Sequence, residues 1–232
     1  MVSARSPRER DPRRRRDPER RARILNAAAD LASQRGFSTV SMADIGAEAG
    51  IVGSGIYRHF GSKVSILVAL LDQVMDRLMS RAAQIVATSA DDHQCLSDLV
   101  RDHIAVALTD RTILMVYHRE SHTLPAEDRR RLRRQQRLYI EEWVHLLAPL
   151  RPELADGELR LAVHATIGAI QSTLFFRSGL ATDRLADLLD AMAHGCLGIT
   201  PAPSHPLPSR SLLTEASAVP ASSGAAGISR QI

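Results

Sequence analysis

Apolar residues recur along this chain at three- and four-residue spacing, without the strict alternation that a half-buried strand needs. Ile24, Leu25, Ala28, Leu31 and Ala32 set the pattern from about residue 17, and Gly36 ends it as a glycine just past a helix does. Ser41 suits the N-cap of a short second helix over 42–49, stopped by Gly50. A third short helix is expected over about 53–59. Ser62 then caps a long fourth helix with the apolar stripe Ile66, Leu70, Val74 and Leu78. Further helices are expected over about 92–108, 111–120, 125–149, 156–178 and 182–197. Pro125 sits in a first turn, Pro149 and Pro152 close that block, and Thr182 caps the last helix. The fold class is therefore all-α.

The ends read differently. Residues 1–16 combine Pro7 and Pro12 with dense charge and are expected to be a disordered basic arm. From Thr200 the composition turns to Pro, Ser, Ala and Gly, so 200–232 is expected to be a disordered tail. Between them the chain divides into 17–62 and 63–199.

Charge sharpens this picture. Residues 1–23 hold ten arginines against four carboxylates, although the whole chain carries a net charge of only +4. A basic arm of this kind attracts phosphate backbones, or is simply a solvated tail. With 44% hydrophobic and 24% charged residues the composition is that of an ordinary globular protein. No apolar run reaches the roughly 18 residues of a membrane span, and no apolar segment near the N-terminus makes a secretory signal. Two cysteines, Cys95 and Cys196, read as free thiols. These features point to the cytoplasm. No Ser/His/Asp set, phosphate loop or carboxylate pair stands in a recognisable context, so no catalytic residue, cofactor or metal site is assigned. His118 and His122 share a helix face, but Glu120 projects elsewhere and a third ligand is missing.

The stretch "GIVGSGIYRHFGSK" at 50–63 carries the chemistry. A helix–turn–helix needs a small residue in its first helix, a glycine in the turn and an apolar lock. Gly46, Gly50 and the set Ile45, Ala49, Ile51 and Ile56 supply them. The second helix of such a unit enters the major groove, so its exposed face must be polar. Tyr57, Arg58 and His59 fall there. Gly36-Phe37, Ser41, Asp44-Ile45, Ala49-Gly50, Tyr57, His59-Phe60 and Ser62-Lys63 together resemble the N-terminal DNA-binding domain of the TetR family of bacterial transcriptional repressors.

That resemblance implies a three-helix DNA-binding domain followed by a helical ligand-binding and dimerisation domain. It implies phosphate contacts from Ser41, Tyr57, His59 and Lys63, with Phe60 in the core. It also exposes a departure: Val52 and Gly53 stand where the family places a hydroxyl residue and a base-reading residue. Base reading then falls to Ser54 and Arg58, with Val52 able to meet a thymine methyl, and the basic arm could contribute from the minor groove. In the family the last two long helices form a two-fold seam. Here Leu161, His164, Ala165, Gly168, Ala169 and Ser172 give one a small-residue face, and Leu185, Leu188, Leu189 and Met192 give the other an apolar one; internal core is the alternative.

The segment around Tyr117–Glu120, the arginine run 129–137, Trp143 and Arg151-Pro152 is similar to a subgroup of actinobacterial regulators of fatty-acid, acyl-CoA or steroid degradation. It implies a large apolar or acyl-CoA-like effector. Candidate liners are Tyr117, Trp143, Gln171, Phe175 and Arg177, with core packing the alternative for Trp143 and Phe175. The implied partners are double-stranded operator DNA, the effector and a second copy of the chain. The expected function is a ligand-responsive repressor, the alternative an activator or an effector-independent DNA-binding protein.

Overall fold

A computed structural model describes residues 18–51 and 53–203, and among them every regular element is helical. The basic arm 1–16, Val52 and residues 204–232 lie outside the described residues.

Three elements form the N-terminal unit: α1 (Pro18–Arg35), α2 (Met42–Glu48) and a 3-10 helix (Gly53–Arg58). Ile24, Ala28, Ile45 and Ile56, each at most 1% exposed, make its core. Phe60 joins them, as its position in the pattern suggests, with the Arg21 guanidinium 5.0 Å over its ring. The 26-residue α3 (Lys63–Thr88) leaves this unit and runs into the second one, a rod of about 39 Å at 1.5 Å per residue. Ser62 caps it reciprocally with Ser65, satisfying amide groups that the first turn leaves without partners.

The second unit packs α5 (Arg111–Glu120), α6 (Ala126–Leu147), α7 (Asp156–Gln171) and α8 (Thr182–Leu197) around α4 (Asp92–Thr109). α4 is the central helix. It buries Leu96, Leu99, Val100 and Ile104 and also Ser97, Asp102 and His103, all at most 2% exposed. Trp143 of α6 is wholly buried beside them.

Four local expectations change. The segment 53–58 is 3-10 rather than α-helical, because Gly53 takes φ +60° and glycine opposes propagation of an α-helix. α7 stops at Gln171 instead of running to 178: the Ser172 and Thr173 hydroxyls bond back to Ala169 O and Ile170 O, tightening the chain into one 3-10 turn. Pro125 and Ala181, not a first-turn proline and Thr182, occupy the N-cap positions of α6 and α8. Residues 200–203 lie along α4 rather than opening a free tail: Ala202 N–H donates to Ser97 Oγ (3.1 Å) and Arg101 donates to the Ala202 carbonyl.

Candidate nucleic-acid interface and ligand cavity

The N-terminal site is built mainly by its backbone. Ser41 caps α2 through a full reciprocal box: its Oγ accepts from Asp44 N–H (3.1 Å) and its own N–H donates to Asp44 Oδ2 (2.8 Å). The hydroxyl also donates to Asp44 Oδ2 at 2.6 Å, and these bonds hold the Asp44 carboxyl below its usual range. Ser41's hydroxyl and amide are thus both engaged within the helix cap. At the other end of α2, Gly50 N–H reaches Ala47 O and Ile51 N–H reaches Gly46 O (2.8 Å), with Gly50 at φ +67°. This pair of bonds closes the helix with a left-handed glycine.

Two further glycines have physical reasons that their sequence pattern does not show. A Cβ on Gly46 would meet Ile51 O at 3.4 Å and Ile56 Cβ at 3.8 Å, so the turn and the 3-10 helix approach α2 closely there. A Cβ on Gly55 would sit 2.8 Å from Ile51 Cγ2, inside any allowed contact. Gly55 is therefore a packing glycine, and Gly53 a conformational one.

The side chains expected to meet DNA occupy different settings. Ser54, Tyr57 and Arg58 are exposed, and His59 is half-buried. Ser54 and Arg58 join Arg20 and Arg23 of α1 around a concavity of about 320 Å³ floored by Gly50, Ile51 and Gly55. The two α1 arginines are missed when the N-terminal charge is read as one arm; their three-residue spacing on a helix was the available signal. Lys63, half-buried, donates to Ser38 O at 2.8 Å and lies 5.0 Å over the Phe37 ring. Its pKa falls because burial disfavours the ammonium. Lys63 therefore ties the start of α3 to the α1–α2 connection.

A cavity enclosing about 40 Å³ lies in the second unit, lined from α3, α4, α5, α6 and α7. Val74, Met75, Leu78, Leu114 and Ile167 make it apolar, while His103, His118, Tyr139 and Gln171 give it a polar end. Of the expected liners, Tyr117 and Gln171 are there. Trp143 is not: it is 0% exposed core, edge-on to His103 and Tyr139. Phe175 is 61% exposed and stands edge-on to His118 at 5.6 Å, and Arg177 is exposed outside the cavity. His118 bonds Gln171 (3.1 Å), and among the described residues no three His, Cys, Asp or Glu gather as a metal-binding group. Burial holds His103 down at about 4, aided by the nearby His118, so its imidazole is neutral.

α3 links the two sites. Its Arg81 pairs with the buried Asp102, the residue next to His103 on α4. Burial pushes the Asp102 carboxyl up, and Arg81 works against that. Asp72 pairs with Arg131 of α6, and Gln135 donates to Asp76 at 3.2 Å. On the outer face, Leu161, Gly168 and Met192 of α7 and α8 are exposed, whereas Leu189 is internal core. Among the described residues no helix is long and apolar enough to cross a membrane.

Comparison with known proteins matches residues 24–70 to the bacterial regulatory proteins of the tetR family. Residues 89–174 match the tetracyclin repressor-like C-terminal domain. The chain is 31% identical over 110 residues to the HTH-type transcriptional repressor KstR2 of Rhodococcus jostii (strain RHA1), covering 47% of this chain and 54% of that one. It is 36% identical over 78 residues to the HTH-type transcriptional activator FasR of Mycolicibacterium smegmatis (strain ATCC 700084 / mc(2)155), covering 34% and 36% of the two chains. The aligned region thus spans about half or less of these curated relatives. Among solved structures, AibR in complex with isovaleryl coenzyme A and operator DNA superposes with a TM-score of 0.65 at 21% identity, covering 75% of this chain and 97% of that one. At that identity the likeness concerns the fold.

Proposed function

We propose a function from one premise: the chain belongs to the TetR family of bacterial regulatory proteins. On that footing it is a cytoplasmic DNA-binding transcriptional regulator, acting as a homodimer on a palindromic operator and released by a small-molecule effector. The observation that carries the reading is the concavity where Ser54 and Arg58 of the recognition segment meet Arg20 and Arg23 beside the α2 turn. Guanidinium groups gathered around a helix–turn–helix suit phosphate oxygens and guanine edges.

Dimerisation is supported by the exposed Leu161, Gly168 and Met192 on the paired helices α7 and α8. A single recognition element on one half-site binds weakly, and two-fold symmetry matches a palindrome. The effector reading is supported by the apolar cavity at α3, and by the relatives, which include a structure holding isovaleryl coenzyme A. An acyl-CoA-like ligand would place its apolar part in the cavity and its phosphates near the exposed Arg133, Arg134 and Arg137 of α6. With only about 40 Å³ of free space, any such ligand must push its walls apart. One of those walls is α3, so the displacement reaches the recognition segment.

An activator is the second reading, favoured by the likeness to FasR. Fluorescence anisotropy with the DNA flanking the protein's own gene, over a salt series, tests DNA binding. Specific binding is expected, with Arg58→Ala costing about 1–3 kcal/mol and relaxing the sequence preference; equal affinity for scrambled DNA would contradict the reading. Transcription in vitro from the same DNA separates repressor from activator.

A further inference from the structure

The polar end of the cavity has a direction. The Gln171 amide sets it, with its oxygen toward His118 Nε2 (3.1 Å) and its nitrogen toward His103 Nε2 (3.2 Å). An amide N–H can only donate, so His103 Nε2 accepts and its proton sits on Nδ1. That Nδ1–H faces Tyr139 Oη at 3.1 Å and donates to it. The string therefore runs His118 to Gln171 to His103 to Tyr139. The Trp143 indole N–H also leans on the Tyr139 oxygen without reaching full hydrogen-bond geometry. Both nearby N–H groups aim at that oxygen, so the Tyr139 proton is left to point elsewhere. Gln171 keeps a second amide N–H, and at the mouth Tyr117 O–H donates to Gln136 Oε1 (3.3 Å), leaving the Gln136 amide hydrogens.

What this wall has to spare is donors. Among the lining residues there is no Lys, Arg, Asp or Glu, and burial holds His103 neutral with a pKa of about 4. A carboxylate entering at Tyr139 would lose its hydration and meet no permanent cation, because His118, the lining group besides His103 that can carry positive charge, has its Nε2–H committed to the Gln171 oxygen; that loss costs several kcal/mol. An uncharged oxygen acceptor would lose little and gain the spare O–H and N–H.

We propose that the cavity recognises an elongated apolar molecule by an uncharged carbonyl-type oxygen, as in a ketone, ester or thioester, held by Tyr139 O–H and Gln171 N–H, and discriminates against the free carboxylate. The inference rests on the effector reading above and narrows its chemistry. It also assigns Tyr139, Gln171 and His103 distinct parts: two donors, and one imidazole that fixes their orientation.

The test uses the full chain with dodecan-2-one, dodecanoate and dodecylamine as probes, read by thermal shift and calorimetry, with Tyr139→Phe and Gln171→Leu. The ketone is expected to raise the melting temperature and to bind at least tenfold tighter than either charged probe. Each substitution is expected to weaken the ketone about tenfold and leave dodecanoate unchanged. Dodecanoate binding as tightly as the ketone, or ketone affinity unmoved in both variants, overturns the inference while leaving the cavity a ligand site. Absence of a shift with all three probes overturns the effector-cavity reading as well. Imidazole ¹⁵N spectra of the unsubstituted protein give a check independent of folding in the variants. His103 is expected as the neutral Nδ1–H tautomer; the Nε2–H tautomer would reverse the string, spend the Tyr139 proton on His103, and overturn the inference.

Discussion

The recognition segment and the cavity are joined by α3 and are built in opposite ways. In the recognition segment the backbone is unusual: two glycines at positive φ, Gly50 and Gly53, flank the entry to a 3-10 helix, and Gly55 has no room for a methyl group. The side chains mounted on it are mostly exposed and few. In the cavity the backbone is plain α-helix, side chains from five helices line it, and four of those helices supply a connected polar string. Specificity in the first comes from where the chain can go, and in the second from which hydrogen bonds remain unspent.

The largest expected effect breaks the link between them. Asp102→Ala leaves Arg81 facing a site from which its partner is gone, and loss of one member of a buried pair costs about 3–5 kcal/mol. Arg81 is one-fifth exposed, so the low end of that range is expected. Urea unfolding of both proteins measures it; a loss below 1 kcal/mol would mean that α3 and α4 are held by apolar packing alone. Asp102→Asn, which keeps the shape and one acceptor, is expected to lose less.

Next comes acid. His103 is held at about 4 in the folded protein against 6.5 in the unfolded chain. Between those values the unfolded chain binds more protons, so folding stability falls as pH drops from 6.5 toward 4. The shift corresponds to about 3 kcal/mol. Above pH 6.5 this residue contributes no slope. Unfolding free energies across that window check the sign, and His103→Gln is expected to flatten the profile.

Smaller effects belong to the recognition segment. Gly55→Val forces atoms into Ile51 and is expected to cost about 1–3 kcal/mol, with operator affinity falling alongside stability. Gly53→Ala strains a left-handed residue by about 1–2 kcal/mol. Lys63→Met removes both the tie to Ser38 O and the ammonium over the Phe37 ring while keeping an unbranched side chain, so a stability change of about 1 kcal/mol is expected. A larger loss of DNA affinity than of stability in that variant would assign Lys63 a phosphate as well.

The same contrast explains what could be read from the chain. The caps at Ser41 and Ser62, the Gly50 turn and the core place of Ile56 and Phe60 depend on neighbours a few residues away, and local patterns report them. Local pattern does not explain Gly55, because the methyl of Ile51 that excludes a Cβ there is a packing contact. The cavity is less legible. Tyr117 and Gln171 line it, whereas Trp143 takes the core alternative, since size and aromaticity mark core and pocket alike. His103 and Tyr139 lie thirty-six residues apart and meet only when α4 packs on α6, and nothing local marks either as a cavity residue. His118 drew notice for its spacing to His122, whereas its partner is Gln171.

On the proposed reading, the cavity and the DNA interface are coupled through α3. The direct measurement is operator affinity, by anisotropy, of the full chain with and without saturating dodecan-2-one, repeated with Tyr139→Phe. We expect the ketone to shift operator affinity at least tenfold in the unsubstituted protein, and Tyr139→Phe to require about tenfold more ketone for the same shift. Operator affinity unchanged by a ligand shown calorimetrically to be bound would contradict the claim.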